Sequence, residues 1–206
     1  MDQAAALSAV LTVTGTMFVA ELGDKDALFL LTLATKRRPL WVFAAGSLAF
    51  TLTTAIIVLV GSAIASFVPV VWVKLAGGVI MVGYAAWEYS RGSREAEEVE
   101  RREKGLLKRG KGLGWAAFAT AVASLMALDL AGDATELLIV VFVAQYQEIL
   151  LVFGASVVGL VAATGVETAL GNSLGRLLSP KRIRYLSVLV FLAIGSVVIA
   201  SALLSL

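Results

Sequence analysis

Two stretches of the 206-residue chain carry acids inside apolar sequence. The first reads Phe18-Val-Ala-Glu21-Leu-Gly23-Asp24-Lys25-Asp26-Ala-Leu-Phe-Leu, the second Met126-Ala-Leu-Asp129-Leu-Ala-Gly132-Asp133-Ala-Thr135-Glu136-Leu-Leu. Together they set six carboxylates against one lysine. A charge near the centre of a bilayer costs at least ~2.5–3.5 kcal/mol on insertion scales, so such residues normally face a cavity and have work there. Helical spacing puts Glu21, Asp24 and Lys25 on one face at i, i+3 and i+4, and Asp129, Asp133 and Glu136 on one face at i, i+4 and i+7. Two such helices crossing antiparallel at Gly23 and Gly132 would bring the acidic faces together. Hard divalent cations ask for several carboxylate and carbonyl oxygens. A helix broken at glycine frees carbonyls to join them, and Thr135 can add a hydroxyl. Lys25 stands in the favourable i,i+4 orientation to Glu21 and can neutralise the acids when no cation is bound. Asp26 points away from that face and suits cavity lining as well as the site itself.

The competing reading is a polar helix–helix contact that holds two halves together. Six carboxylates repel one another unless a cation or protons are present, which favours an ion site. Glu167 is a seventh acid in apolar sequence, near Thr164 and Thr168. It fits a proton-relay group or a protonated carboxyl held by a helix neighbour. Glu88 and Glu148 lie near the ends of apolar runs and are expected at the membrane interface.

The elements that must position these residues are transmembrane helices. The chain is 59% hydrophobic and 16% charged, with mean hydropathy +0.91, more apolar surface than a soluble domain of this size can hide. It has no cysteine and no histidine, so Cys- or His-ligated zinc and copper chemistry is excluded and any metal must be held by oxygen. Six spans are expected, at about 5–34, 40–66, 69–89, 113–145, 149–178 and 183–205. The first and fourth are too long: about 30 residues of straight helix reach roughly 45 Å against roughly 30 Å of hydrocarbon. They must tilt, protrude or break, and Gly23 and Gly132 are natural places for a break.

Fifteen of the seventeen Lys and Arg residues fall in three alternate loops: Lys36 to Arg38, Arg91 to Lys111, and Arg176 to Arg184. The positive-inside rule puts these loops in the cytoplasm and both termini outside. The start Met1-Asp2-Gln3 lacks the basic residues of a cleaved signal peptide. Most of Trp41, Trp72, Trp87, Trp115, Tyr89, Tyr146 and Tyr185 fall at span ends, as an interfacial aromatic belt does. The basic residues are loop anchors, not a groove for nucleic acid.

The chain divides into a first three-helix unit (1–90), a charged cytoplasmic linker (91–112) and a second unit (113–206). In the linker, Glu97/Arg101, Glu98/Arg102 and Glu100/Lys104 are i,i+4 pairs of a solvated segment. The units correspond at an offset of 109 or 110: Gly23-Asp24 with Gly132-Asp133, Phe43 with Phe153, Gly61 with Gly171, Lys74 with Arg184. Each has an odd number of spans, so the second must be inverted, an architecture that holds transporter sites at mid-membrane. The expected fold class is therefore an all-α membrane protein of two inverted three-helix repeats. Gly171 and Gly175 suit close helix packing.

Glu21-Leu22-Gly23-Asp24-Lys25 resembles the E-x-G-D-K-[ST] signature of the Golgi calcium/manganese–proton exchanger family, uncharacterised protein family sixteen, within the lysine-exporter superfamily. The resemblance covers nearly the whole chain. It implies two three-helix repeats with one motif each, and exchange of divalent cations, chiefly Ca²⁺ and Mn²⁺ with Fe²⁺ in reach, for protons. It carries Glu21, Asp24 and Asp133 over as cation ligands, Thr135 as an additional one and Lys25 as their partner. Asp26 replaces the family's Ser or Thr, and Ala27 its frequent Gln. The second copy keeps Gly132, Asp133 and Thr135, with Leu130 at the glutamate position, Ala134 at the lysine and Glu136 at the Gln. Asp129 and Glu136 then supply the displaced charge.

The expected function is a secondary antiporter and not an enzyme. A divalent metal and protons are its substrates, the lipid bilayer its surroundings, and no cofactor is permanently bound. A homo-oligomer is compatible with the sequence, and a prokaryotic cell membrane is the expected location. Two alternatives stay open. One is an exporter of a cationic amino acid or other small solute. The other is an intramembrane hydrolase using paired carboxylates, against which the absence of histidine counts. No G-x-x-x-x-G-K-[ST] loop is present to bind ATP.

Overall fold

The computed structural model describes residues 2–22, 24–91, 115–130, 134–174 and 180–205. The described residues form eight helices: α1 (Gln3–Leu22), α2 (Lys25–Lys36), α3 (Pro39–Phe67), α4 (Val70–Arg91), α5 (Trp115–Asp129), α6 (Ala134–Tyr146), α7 (Ile149–Leu174) and α8 (Pro180–Leu203). Linker residues 92–112, Gly23, Gly132, Asp133, Gly175 and Arg176 lie outside them, as do the side chains of Lys25 and Asp26.

All three prolines stand at helix starts, where the missing N–H costs nothing: Pro39 and Pro180 open α3 and α8, and Pro69 precedes α4. Between Pro39 and Pro69 the apolar run continues unbroken, and α3 reaches 29 residues. Five helices, α1, α3, α4, α7 and α8, are long and apolar enough to cross a membrane. Leu11, Leu59, Val79, Leu150, Leu189 and Val197 stand exposed on the outside of the bundle, the pattern of a surface that meets lipid. The protein is an integral, multi-pass, all-helical membrane protein.

The expected single helices at 5–34 and 113–145 are each two helices. α1 ends at Leu22 and α2 begins at Lys25, with Asp24 between them in extended conformation (φ −91°, ψ 167°). The Asp24 N–H still donates to the Glu21 carbonyl at 2.9 Å, so the chain turns sharply here. In the second half α5 ends at Asp129 and α6 begins at Ala134. Of tilting, protruding and breaking, the excess length is resolved by interruption. The shared-face spacing of Glu21 with Asp24, and of Asp129 with Glu136, assumed uninterrupted helices and does not describe these residues.

Each half packs its interrupted pair against the long helix of the other. α1 and α2 lie along α7, α5 and α6 lie along α3, and α3 also meets α7. α4 and α8 form a further pair, antiparallel, with Tyr84 beside Phe191 at 5.4 Å and Tyr89 beside Tyr185 at 6.5 Å. An equivalent glycine makes a close approach in each half. A Cβ on Gly171 would stand 2.6 Å from the Leu31 carbonyl oxygen and 2.8 Å from Ala34 Cβ. A Cβ on Gly61 would stand 3.2 Å from Val140 Cα and 3.6 Å from Val143 Cβ. Gly61 and Gly171 are 110 residues apart, and their partners, Leu31 with Val140 and Ala34 with Val143, are 109 apart. The offset visible in the sequence thus reappears in the packing. The core they enclose runs through Met17, Phe29, Leu33, Phe50, Leu125, Leu138 and Phe191.

Candidate functional site

The two interruptions are where the acids are buried. Glu21, in the last turn of α1, and Asp24, the N-cap residue of α2, are both fully buried. A carboxylate ahead of α2 faces the positive end of that helix, which favours an anion. The Asp24 side chain makes no capping bond to the helix. Its Oδ1 instead lies 3.5 Å from the Tyr84 hydroxyl of α4, which donates to it. The carboxylate is therefore turned toward the bundle.

At the second interruption Asp129 is the last residue of α5 and is buried. The helix end offers carbonyl oxygens there, an unfavourable place for an anion without donors. The donor comes from the other half: the Thr53 hydroxyl of α3 hydrogen-bonds Asp129 Oδ2. Thr135 is buried in the first turn of α6 and Glu136 is half-buried beside it, at a helix start that again favours negative charge. Asp133 lies outside the described residues.

Glu167 of α7 is buried at 2% exposure. Thr164 and Thr168 do not hold it. Their hydroxyls donate to the carbonyls of Leu160 and Thr164 on their own helix, at 2.9 and 2.7 Å. Among the described residues no three acids converge closely enough to grip one metal ion as they stand.

Glu88, near the end of α4, is turned into the bundle and not toward solvent. It is 2% exposed, because it continues the buried stripe of α4 through Met81 and Ala85, at i, i+4 and i+7. That spacing was legible in the sequence. Glu148, by contrast, is exposed between α6 and α7. Tyr84 and Thr53 carried no signal of their own, since their partners come from helices distant in sequence.

The profile of the divalent cation/proton antiporters GDT1 matches residues 9–96 and 117–205. The chain belongs to this family. The match falls in two stretches, one on each half of the chain, so the family relation covers both repeats. Divalent cation/proton antiport is the family's activity, which makes the cation and the proton transported substrates. No curated protein and no solved structure matches the chain.

Proposed function

We propose that the chain exchanges a divalent metal, Mn²⁺ or Ca²⁺ first and Fe²⁺ next, for protons across a prokaryotic cell membrane. The cation ligands are Glu21, Asp24 and Asp133, with Asp129, Glu136 and Thr135 completing the set and Lys25 as charge partner. The observation that carries this reading is the burial of Glu21, Asp24 and Asp129 at the two helix interruptions. Helix ends leave carbonyls unsatisfied, and acids beside them supply the hard oxygens such cations prefer.

Six crossings in two inverted repeats, joined by the charged segment 91–112, position this site. Four interhelical contacts and one turn support the inversion. α7 runs in the same direction as α1 and α2, since Gly159 meets Met17 and Gly171 meets Leu31. α3 runs in the same direction as α5 and α6, since Thr53 meets Asp129 and Gly61 meets Val140. The chain reverses at Arg37 and Arg38, since Leu30, eight residues before Arg38, meets Gly46, eight residues after it. The first acidic segment is then antiparallel to the second. Both termini lie outside, because the basic loops lie inside.

The direct test is flux into proteoliposomes of the purified full-length protein, with Mn²⁺, Ca²⁺, Fe²⁺ and lysine offered in turn and a pH dye inside. Metal entry with proton movement the opposite way is expected, and lysine should leave the dye unchanged. Lysine flux without metal flux would move the chain to the solute-exporter reading.

A further inference from the structure

Gly159, Ala163, Glu167 and Gly171 follow one another at four-residue steps on α7 and form one slowly turning stripe. Both ends of the stripe are fixed. A Cβ on Gly159 would lie 2.6 Å from the Thr14 carbonyl oxygen and 3.0 Å from Met17 Cβ, on α1. At Gly171 the neighbours are Leu31 and Ala34, on α2. The stripe passes from one helix to the next, and Glu167 stands on it between these two contacts, as the interruption that buries Glu21 and Asp24 stands between their partners on α1 and α2. Both Glu167 carboxylate oxygens are buried with no hydrogen-bond partner among the described residues.

The matching stripe on α3 is Ala49, Thr53, Ile57 and Gly61, each 110 residues earlier. It runs along α5 and α6 in the same way, with Thr53 on Asp129 and Gly61 on Val140. Ile57 takes the place of Glu167. The polar group on the second stripe is a hydroxyl already donated to an acid; on the first it is an acid with no donor among the described residues. Charged residues on the other helices packed against α7 are Glu21 of α1, Lys25, Asp26 and Lys36 of α2, and Glu136 of α6; α3 has none, and Asp24 precedes α2. Burying a carboxylate without partners is costly unless a counter-charge faces it.

We propose that Glu167 is a further cation-attracting residue of the transport pathway, contributed by α7 from outside both acidic motifs and acting on the first interruption. This rests on the cation-exchange reading. Because no three described acids form a closed cage, Glu167 acts through its charge on the space it faces. The two halves are then unequal, and the first holds the cation more strongly than the second.

The test is equilibrium Mn²⁺ binding to the purified full-length protein at fixed pH, with thermal melting recorded without metal. Glu167→Gln keeps the shape and removes the charge. It should weaken Mn²⁺ binding roughly tenfold, since charge count sets affinity for hard cations, while the metal-free melting temperature stays level or rises. Glu167→Asp keeps the charge and should retain most of the affinity. Where Glu167→Gln fails to fold, Glu167→Met is read in the same way. Wild-type Mn²⁺ affinity in the folded neutral variant, beside lost binding in Asp24→Asn, overturns the role of Glu167 alone. Unchanged binding in both overturns the cation reading beneath it.

Discussion

The Thr53 hydroxyl donates a hydrogen bond to Asp129 Oδ2, and both residues are buried. This contact ties the long helix of the first half to the broken end of α5 in the second. The Thr53 oxygen also lies 3.2 Å from the carbonyls of Ala49 and Phe50, but a carboxylate is the stronger acceptor and takes the proton. Thr53→Val keeps the shape and leaves a buried acceptor short of its donor. It should cost about 1–3 kcal/mol, read from denaturant midpoints in detergent, and Thr53→Ser should recover most of it. Equal midpoints for Thr53→Val and wild type would show that the contact contributes nothing.

Arg38 and Glu148 are exposed residues of two equivalent short interhelical turns, 110 residues apart. Inverted repeats put such equivalent turns on opposite sides of the membrane. The chain has no cysteine, so Arg38→Cys and Glu148→Cys each give a single reporter. An impermeant thiol reagent added to intact cells should label Glu148→Cys and leave Arg38→Cys unlabelled until the membrane is opened. Labelling of both from outside removes the six-crossing topology.

Close approach at Gly171 makes a steric prediction. Its Cβ would meet backbone at 2.6 Å, whereas a Cβ on Gly83 meets nothing within 4 Å. Gly171→Ala should destabilise by about 1–3 kcal/mol through overpacking. Gly83→Ala should be neutral or stabilising by roughly 0.5–1 kcal/mol, through lost freedom of the unfolded chain. Thermal melting of the two variants separates them; a Gly171→Ala variant as stable as Gly83→Ala would mean that α2 and α7 are not in backbone contact.

On the proposed reading protons and metal compete for the same carboxylates, which fixes the sign of the pH dependence. At low pH the cation must displace bound protons; raising pH removes that competition, and binding releases fewer protons as the acids empty. Mn²⁺ affinity should therefore rise across about pH 5.5 to 8.5, between the ordinary ranges of carboxylates and lysine. An affinity flat over that window contradicts exchange and favours a passive conduit.

Much of this architecture is written in the sequence because hydrophobicity and glycine act locally. The apolar runs mark the long helices, and the excess length of the first and fourth required a tilt, a protrusion or a break. The 110-residue offset of Gly61 and Gly171 survives into their contacts. The pairings at the site are less legible because they are made between helices far apart in the chain. Thr53 reaches Asp129 across 76 residues and Tyr84 reaches Asp24 across 60, and neither has a spacing that singles it out. Helix-face arithmetic fails for Glu21 and Asp24 for a related reason: the break that makes them useful also ends the helix on which the arithmetic rests.

The central claim is that the acids of both interruptions carry the cation. The most direct measurement is Mn²⁺ uptake with counter-movement of protons in proteoliposomes, comparing wild type with Asp24→Asn, Asp133→Asn and the double variant, and with Glu148→Gln as the exposed control. Each carboxamide keeps the shape and removes one charged oxygen, so each single variant should lose nearly all uptake and proton movement together, while Glu148→Gln retains both. Near-normal Mn²⁺/proton exchange by the Asp24→Asn/Asp133→Asn protein would contradict the account and leave the buried acids as contacts that merely hold the halves together.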